Sequence, residues 1–106
     1  MTLTLTDKSQ FMDYRECQTC EQRLYDALYR YHSMIQSIEV TIKPVHSQIG
    51  TEDKSYRVRI QHTSGEIIFK YRTDDLSDCV DEICERARKA VSRARVRYLT
   101  RLSGEV

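Results

Sequence analysis

The hydrophobic and polar positions of this chain follow two periods, one typical of strands and one typical of helices. Residues 2–6 alternate threonine with leucine, which predicts a strand with one buried face. Three later segments repeat this alternation and predict three further strands. Their inward positions are Ile38, Val40 and Ile42, then Tyr56, Val58 and Ile60, then Ile67, Phe69 and Tyr71. The last two strands form a hairpin through residues 62–65, where Gly65 supplies the positive φ of a tight turn.

Two other segments have the helical period. Asp13 and Glu16 have the spacing of a capping box, so we predict that a first helix begins there and ends near Ser33 or Met34. Its apolar stripe consists of Cys17, Cys20, Leu24, Leu28, Tyr31 and Ile35. A second helix runs from Asp74 or Asp75 to about Leu102. Its apolar arc consists of Leu76, Val80, Ile83, Ala87, Ala90, Val91, Ala94 and Tyr98. A helix of about 28 residues is about 42 Å long and overhangs a sheet of shorter strands.

The predicted order of elements is β-α-β-β-β-α, in the α+β class. A right-handed crossover through the first helix makes the first two strands parallel, and the last three strands form an antiparallel meander. We therefore predict a four-stranded mixed sheet with both helices packed on one face, formed as one domain by residues 1–106. The proline and glycine between residues 44 and 53 predict a surface loop. No apolar run approaches the roughly 18 residues of a membrane helix, and no secretory pattern is present, so we expect a cytoplasmic chain.

The distribution of charge along the chain is more informative than its total. The net charge is only +1, which by itself argues against a nucleic-acid partner. Of the 17 Lys and Arg, however, seven lie in residues 86–101 without any acid, and the other ten face all 16 Asp and Glu. The near-neutral total therefore hides a basic segment on the second helix. Its members are Arg86, Arg88, Lys89, Arg93, Arg95, Arg97 and Arg101.

Acids at helical spacing divide this basic segment. Glu82 and Glu85 lie three or four residues before Arg86, Arg88 and Lys89, which explains those three bases as surface ion pairs. The bases with no acid at those spacings are Arg93, Arg95, Arg97 and Arg101. A guanidinium donates two parallel hydrogen bonds to a phosphate, so these four are the first candidates for phosphate contacts. The alternative is an ordinary solvated helix face.

A second basic surface is predicted on the sheet face that points away from the helices. Its outward positions are Lys43, Arg57, Arg59, Lys70 and Arg72, opposed mainly by Glu39. The alternative interpretation is that these charges protect the face and edge of the sheet from association.

The four cysteines are compatible with a metal site or with core packing. Cys17 and Cys20 have C-x2-C spacing, and Cys79 with Cys84 could complete a thiolate site. All four lie on or beside the apolar stripes, so we predict reduced core thiols, with no metal and no cofactor. The three histidines have no nucleophile at a recognisable spacing, and there is no glycine-rich phosphate loop, so we predict that the chain is not an enzyme.

The segment DLSDCVDEICERARKAVSRAR, which begins at Asp75, resembles the ribosome hibernation-promoting factor and ribosome-associated translation inhibitor family. The first strand and the residues IEVTIK ending at Lys43 are also similar to that family, so the resemblance covers essentially the whole chain. Ser77 departs from it, because the family has a tyrosine there.

The resemblance implies a double-stranded-RNA-binding-domain-like fold and a small cytoplasmic protein. It implies that the chain occupies the decoding groove of the small ribosomal subunit and silences translation during starvation, as a monomeric short form without DNA or membrane partners. The positions that it assigns to ribosomal RNA are Arg86, Lys89, Arg93, Arg95 and Lys43. On the helical wheel, Arg97 and Arg101 fall in one stripe with Arg86, Lys89 and Arg93, which extends the set to these two arginines.

Two other classes of function remain open at this point. A protein-interaction module of the same fold would bind an acidic protein surface through the arginines. A metal or redox module would use the cysteines.

Overall fold

The computed structural model describes residues 1–8, 12–44, 54–73 and 76–104. Its elements are β1 (Thr2–Asp7), α1 (Tyr14–Leu28), a 3-10 turn (Tyr29–Tyr31), β2 (Ile35–Pro44), β3 (Lys54–His62), β4 (Gly65–Thr73) and α2 (Leu76–Gly104). The predicted β-α-β-β-β-α order is confirmed.

The four strands form one sheet in the order β1-β2-β3-β4. β1 pairs with β2 in parallel, and the β2–β3 and β3–β4 pairs are antiparallel. The register sets Val40 opposite Leu5 and Val58, and Val58 opposite Phe69, so the predicted inward positions share one face. The mixed sheet is therefore confirmed. Of the loop predicted for residues 44–53, Pro44 ends β2, and the rest lies outside the described residues.

The hairpin between β3 and β4 has the predicted turn. His62 pairs with Gly65, which leaves a two-residue loop between them. Gly65 has a φ of 149°, a backbone conformation that side-chain-bearing residues rarely adopt. This turn holds the end of β3 beside the start of β4 and thereby fixes the register of the central strand β3 against the edge strand β4.

α1 begins as predicted and ends earlier than predicted. The Asp13 carboxylate accepts a hydrogen bond from the Glu16 amide at 2.8 Å, and the Asp13 amide donates to the Glu16 carboxylate at 3.3 Å. The α-helix ends at Leu28 and tightens into the 3-10 turn. Ile35, which the periodicity assigned to the helix, is the first residue of β2 and pairs with His62. An apolar residue at this junction fits either period, and the pairing of β2 with β3 decides the outcome.

The core lies between the sheet and the two helices, which pack on one face as predicted. α1 contributes Cys20, Leu24 and Leu28, and α2 contributes Val80, Ile83, Ala87 and Val91. The inward side chains of the central strands are fully buried, whereas Tyr71 on the edge strand β4 is 38% exposed. The opposite face of the sheet carries no helix among the described residues and lies open to solvent.

α2 extends beyond this core. Ala94 is the last buried side chain described along the helix, and Val96 and Leu99 are 60% and 49% exposed. A helix of 29 residues is about 43 Å long, whereas a nine-residue strand spans about 30 Å. The predicted overhang follows from this difference in length. None of the described helices has the length and apolarity to cross a membrane.

Candidate nucleic-acid interface

The bases in the first part of α2 are engaged by acids one turn before them. Arg86 Nε donates to Glu82 at 3.0 Å. Arg88 and Lys89 approach the two oxygens of Glu85 at 3.3 and 3.2 Å. The hydrogen bond that Lys89 donates has the largest effect on Glu85, followed by the one from Arg88, and together they hold the pKa of the Glu85 carboxyl below its usual value. The pairing predicted from helical spacing is therefore confirmed.

Three bases farther along α2 have no such partners among the described residues. Arg93, Arg95 and Arg97 are exposed, and within the described residues none of them forms an ion pair. Arg101 lies in α2, but its side chain is outside the described set. We call residues 80–91 the paired half of α2 and residues 92–104 the unpaired half.

Two arginines of the unpaired half border a groove between α2 and the β3–β4 hairpin. Arg93 and Arg97 line this cavity of about 440 Å³ together with Ala90 and with residues at the turn, which are His62, Ser64, Gly65 and Glu66. Glu66 is an acid in the lining, but its carboxylate is held by Arg59 at 2.9 and 3.4 Å. Among the described lining residues, the two guanidinium groups are therefore the uncompensated charges, and the backbone and the Ser64 hydroxyl of the turn lie beside them.

Arg86 and Arg95 also contact aromatic rings. The Arg86 guanidinium carbon lies 4.6 Å from the centre of the Tyr71 ring, on the β4 side. The Arg95 guanidinium carbon lies 5.9 Å from the centre of Tyr31, which also carries Arg30 at 5.3 Å. The rings hold both side chains in place by cation–π attraction. Arg95 therefore lies on the α1 side of the helix, whereas Arg93 and Arg97 lie on the hairpin side.

Lys43 lies apart from the other predicted site residues. It is opposite Ser55 on the outer face of the sheet, whereas α2 covers the inner face. Lys43 lines a separate cavity of about 340 Å³ with Lys8, Arg57 and Lys70. The structure thus divides the predicted set between the two faces of the sheet.

The cysteines contribute to packing. Cys20 is 1% exposed, and Cys17 and Cys84 lie half-buried against the core as free thiols. Burial raises the pKa of both half-buried thiols, which keeps them protonated. The side chain of Cys79 is outside the described residues. Within the described residues, no three acidic, histidine or cysteine side chains lie close enough to share a metal ion.

Comparison with known protein families shows which family has this architecture. A sequence profile described as "Sigma 54 modulation protein / S30EA ribosomal protein" matches residues 17–98. The chain belongs to this family. Its members are non-enzymatic ribosome-associated factors, so the resemblance found in the sequence and the prediction of a non-enzymatic chain are both confirmed.

Solved structures of the family share the fold. A ribosomal subunit interface protein from Coxiella burnetii superposes with a TM-score of 0.70 at 15% identity, over 91% of this chain and 99% of that one. The N-terminal domain of Protein Y from Thermus thermophilus gives 0.69 at 15% identity, over 88% and 98%. No curated protein sequence matches significantly. At these identities the likeness shows the fold and does not transfer individual residue roles.

Two features of the interface were missed at the sequence level. Lys8 belongs to the outer face because its amide donates to Ile42 at 2.8 Å and prolongs the pairing of β1 with β2. The alternation of Thr2, Thr4 and Thr6 continues to Lys8 and could have indicated this. Arg30, which meets Arg95 across the Tyr31 ring, had no signal in the sequence because two separate elements form the contact.

Proposed function

We propose that this domain binds the small ribosomal subunit in its decoding groove and inhibits translation there, in the cytoplasm, through ribosomal RNA contacts made by α2. The observation that carries the proposal is the unpaired half of α2, where Arg93 and Arg97 line an open groove without an acidic partner in the described structure. Membership of a ribosome-associated family supports the choice of partner.

The physical argument is electrostatic. Unpaired arginines that follow one another on a projecting helix repel one another, and RNA phosphates relieve that repulsion by accepting bidentate hydrogen bonds. Arg95 contacts the RNA from the α1 side of the helix in this proposal. Arg101 adds a further base to the same half of the helix. The overhanging end of α2 carries Arg101 beyond the sheet, while Arg93 and Arg97 present their charges from the groove beside the β3–β4 hairpin.

Arg86 and Lys89 take a secondary role in this proposal. Their ion pairs are exposed, and such pairs contribute about 0 to 1 kcal/mol. A phosphate that approaches the helix can therefore replace Glu82 or Glu85 as the partner at small cost. We expect these two bases to add less affinity than Arg93 and Arg97.

The test is cosedimentation with purified small ribosomal subunits at low salt. Reversal of both groove charges in R93E/R97E is expected to weaken binding at least about 100-fold, and binding of the unchanged protein falls steeply with added salt. The control R15E/R88E reverses two exposed arginines outside the proposed contacts and is expected to remain within a few-fold of wild type. Occupancy of the decoding groove also predicts that wild-type protein displaces transfer RNA from programmed subunits, and that R93E/R97E does not.

Two results contradict the proposal. One is the absence of wild-type protein from the small-subunit fraction at low salt, and the other is equal binding by R93E/R97E and R15E/R88E. Either result would favour the protein-interaction module over the ribosome-bound inhibitor.

A further inference from the structure

The outer face of the sheet is divided into two regions of different charge. At one end, Arg59 lies between two acids, 3.8 Å from Glu39 and 2.9 Å from Glu66. At the other end lies a group of bases that we call the outer basic cluster, formed by Lys8, Lys43, Arg57 and Lys70. Arg57 and Arg59 are two residues apart on the same face of β3, so the difference arises from their neighbours across the strands.

Strand register creates the outer basic cluster. Arg57 lies directly opposite Lys70 on β4 and opposite Thr41 on β2. Like charges directly opposite each other on a sheet are destabilising. Within the described residues, no member of the cluster forms an ion pair. The fold therefore maintains an unfavourable arrangement that an anion would stabilise.

The cluster surrounds a cavity of about 340 Å³ whose lining contains no acid among the described residues. Thr41 and Ser55 place hydroxyl groups in the same cavity. Cations together with hydroxyl donors are the groups that contact phosphate oxygens in protein–nucleic acid complexes.

We propose that the outer basic cluster binds the phosphodiester backbone of an RNA strand, so that this domain contacts RNA on both faces of its sheet. Neighbouring strands lie about 4.8 Å apart, so bases carried by β2, β3 and β4 span about 10 Å. In a B-form duplex, successive phosphates of one strand advance about 3.4 Å along the helix axis, so a span of about 10 Å reaches more than one phosphate and exceeds one small anion. The choice of RNA over another polyanion rests on the proposed function.

The experiment measures binding of a labelled 12-nucleotide RNA, both single-stranded and as a duplex, by fluorescence anisotropy at several salt concentrations. For R57Q/K70Q we expect about tenfold weaker binding near 0.1 M salt and a salt slope smaller by about 1 to 2. The control R15Q/R88Q removes the same net charge from the two helices and is expected to stay within about twofold of wild type. Thermal unfolding serves as a second measurement, because removal of opposed like charges leaves the midpoint of R57Q/K70Q equal to or above that of wild type.

The outcomes separate this inference from the proposed function. Equal affinity of R57Q/K70Q and R15Q/R88Q for both RNA probes overturns the outer site, even if small-subunit binding still depends on Arg93 and Arg97. The outer site is also overturned if the wild-type protein shows no measurable binding to either RNA probe. That result is expected if the outer basic cluster binds an acidic protein instead of RNA. RNA binding that depends on Arg57 and Lys70 supports the outer site, even if the wild-type protein fails to cosediment with small subunits.

Discussion

The two halves of α2 contain similar numbers of bases and use them differently. In the paired half, Glu82 and Glu85 engage the bases, and four buried side chains attach the helix to the core. In the unpaired half, Arg93, Arg95 and Arg97 lack acidic partners in the described structure, and Ala94 is the buried side chain. One continuous helix thus joins an anchored segment to a projecting segment, and the placement of acids decides which bases are available to a ligand.

This difference shows that a run of basic residues is not one surface. Exposed ion pairs contribute little to stability, but they lower the local charge and occupy the donors of each base. Aromatic contacts act differently, because a neutral ring such as Tyr71 orients Arg86 without cancelling its charge. The outer face of the sheet follows the same rule, since Arg59 is neutralised and Arg57 is not.

The substitution with the largest expected effect on stability tests which half of α2 anchors the helix to the core. Ile83→Ala in the paired half removes a fully buried side chain and should lower the free energy of unfolding by about 2 to 5 kcal/mol. Leu99→Ala in the unpaired half changes a side chain that is 49% exposed and should cost less than about 0.5 kcal/mol. Urea unfolding of both variants measures the difference. Similar losses for the two would mean that the projecting segment is packed as firmly as the anchored one.

A second change should make the paired half resemble the unpaired half. E82Q/E85Q removes the acids that engage Arg86, Arg88 and Lys89, so we expect RNA binding near 0.1 M salt to become about five- to tenfold tighter. E21Q/D26N on α1 changes the net charge equally without releasing a base of α2 and should have a smaller effect. Anisotropy titrations with the 12-nucleotide RNA compare the two, and equal affinities would show that overall charge, rather than pairing, controls binding.

The smallest expected effect is a change of stability with pH, and it concerns His62 in the groove beside the unpaired half of α2. His62 lines it near Arg93, Arg97 and Glu66, and its Nδ1 accepts a hydrogen bond from the Ser64 amide at 3.1 Å. Burial lowers the pKa of His62 below its ordinary 6.5, so the unfolded chain binds a proton at a higher pH than the folded chain does. The free energy of unfolding should therefore fall as the pH drops from 7.5 through 6.5 to 5.5, by about 1 kcal/mol, the size of one lost hydrogen bond.

The comparison variant for His62 is H62N, which keeps a polar acceptor and does not titrate in this range. Its free energy of unfolding should change less over the same pH interval than that of wild type, as measured by urea unfolding at each pH. Parallel pH profiles for the two proteins would assign the dependence to other groups.

Local patterns in the sequence predicted most of the fold because each rests on short-range physics. The Asp13–Glu16 capping box, the glycine turn at Gly65 and the alternation in each strand depend on neighbours a few residues away, and all are present. The predicted end of α1 was wrong by several residues, because the helix ends at Leu28. Ile35 belongs to β2 because it pairs with His62, a contact across 27 positions that helical periodicity cannot represent.

The sequence by itself determined the order of elements, the sheet topology and the division of α2, since acids three or four residues before a base pair with it on any helix. Tertiary structure decided which bases become neighbours. The alternation along β2 already predicted Lys43 on the outer face with Arg57 and Lys70, and the folded structure adds Lys8 to that group. Helix geometry alone sets Arg95 about 200° around α2 from Arg93 and Arg97, but only the fold brings it next to the Tyr31 ring. These groupings depend on how distant segments meet, so they required the folded structure.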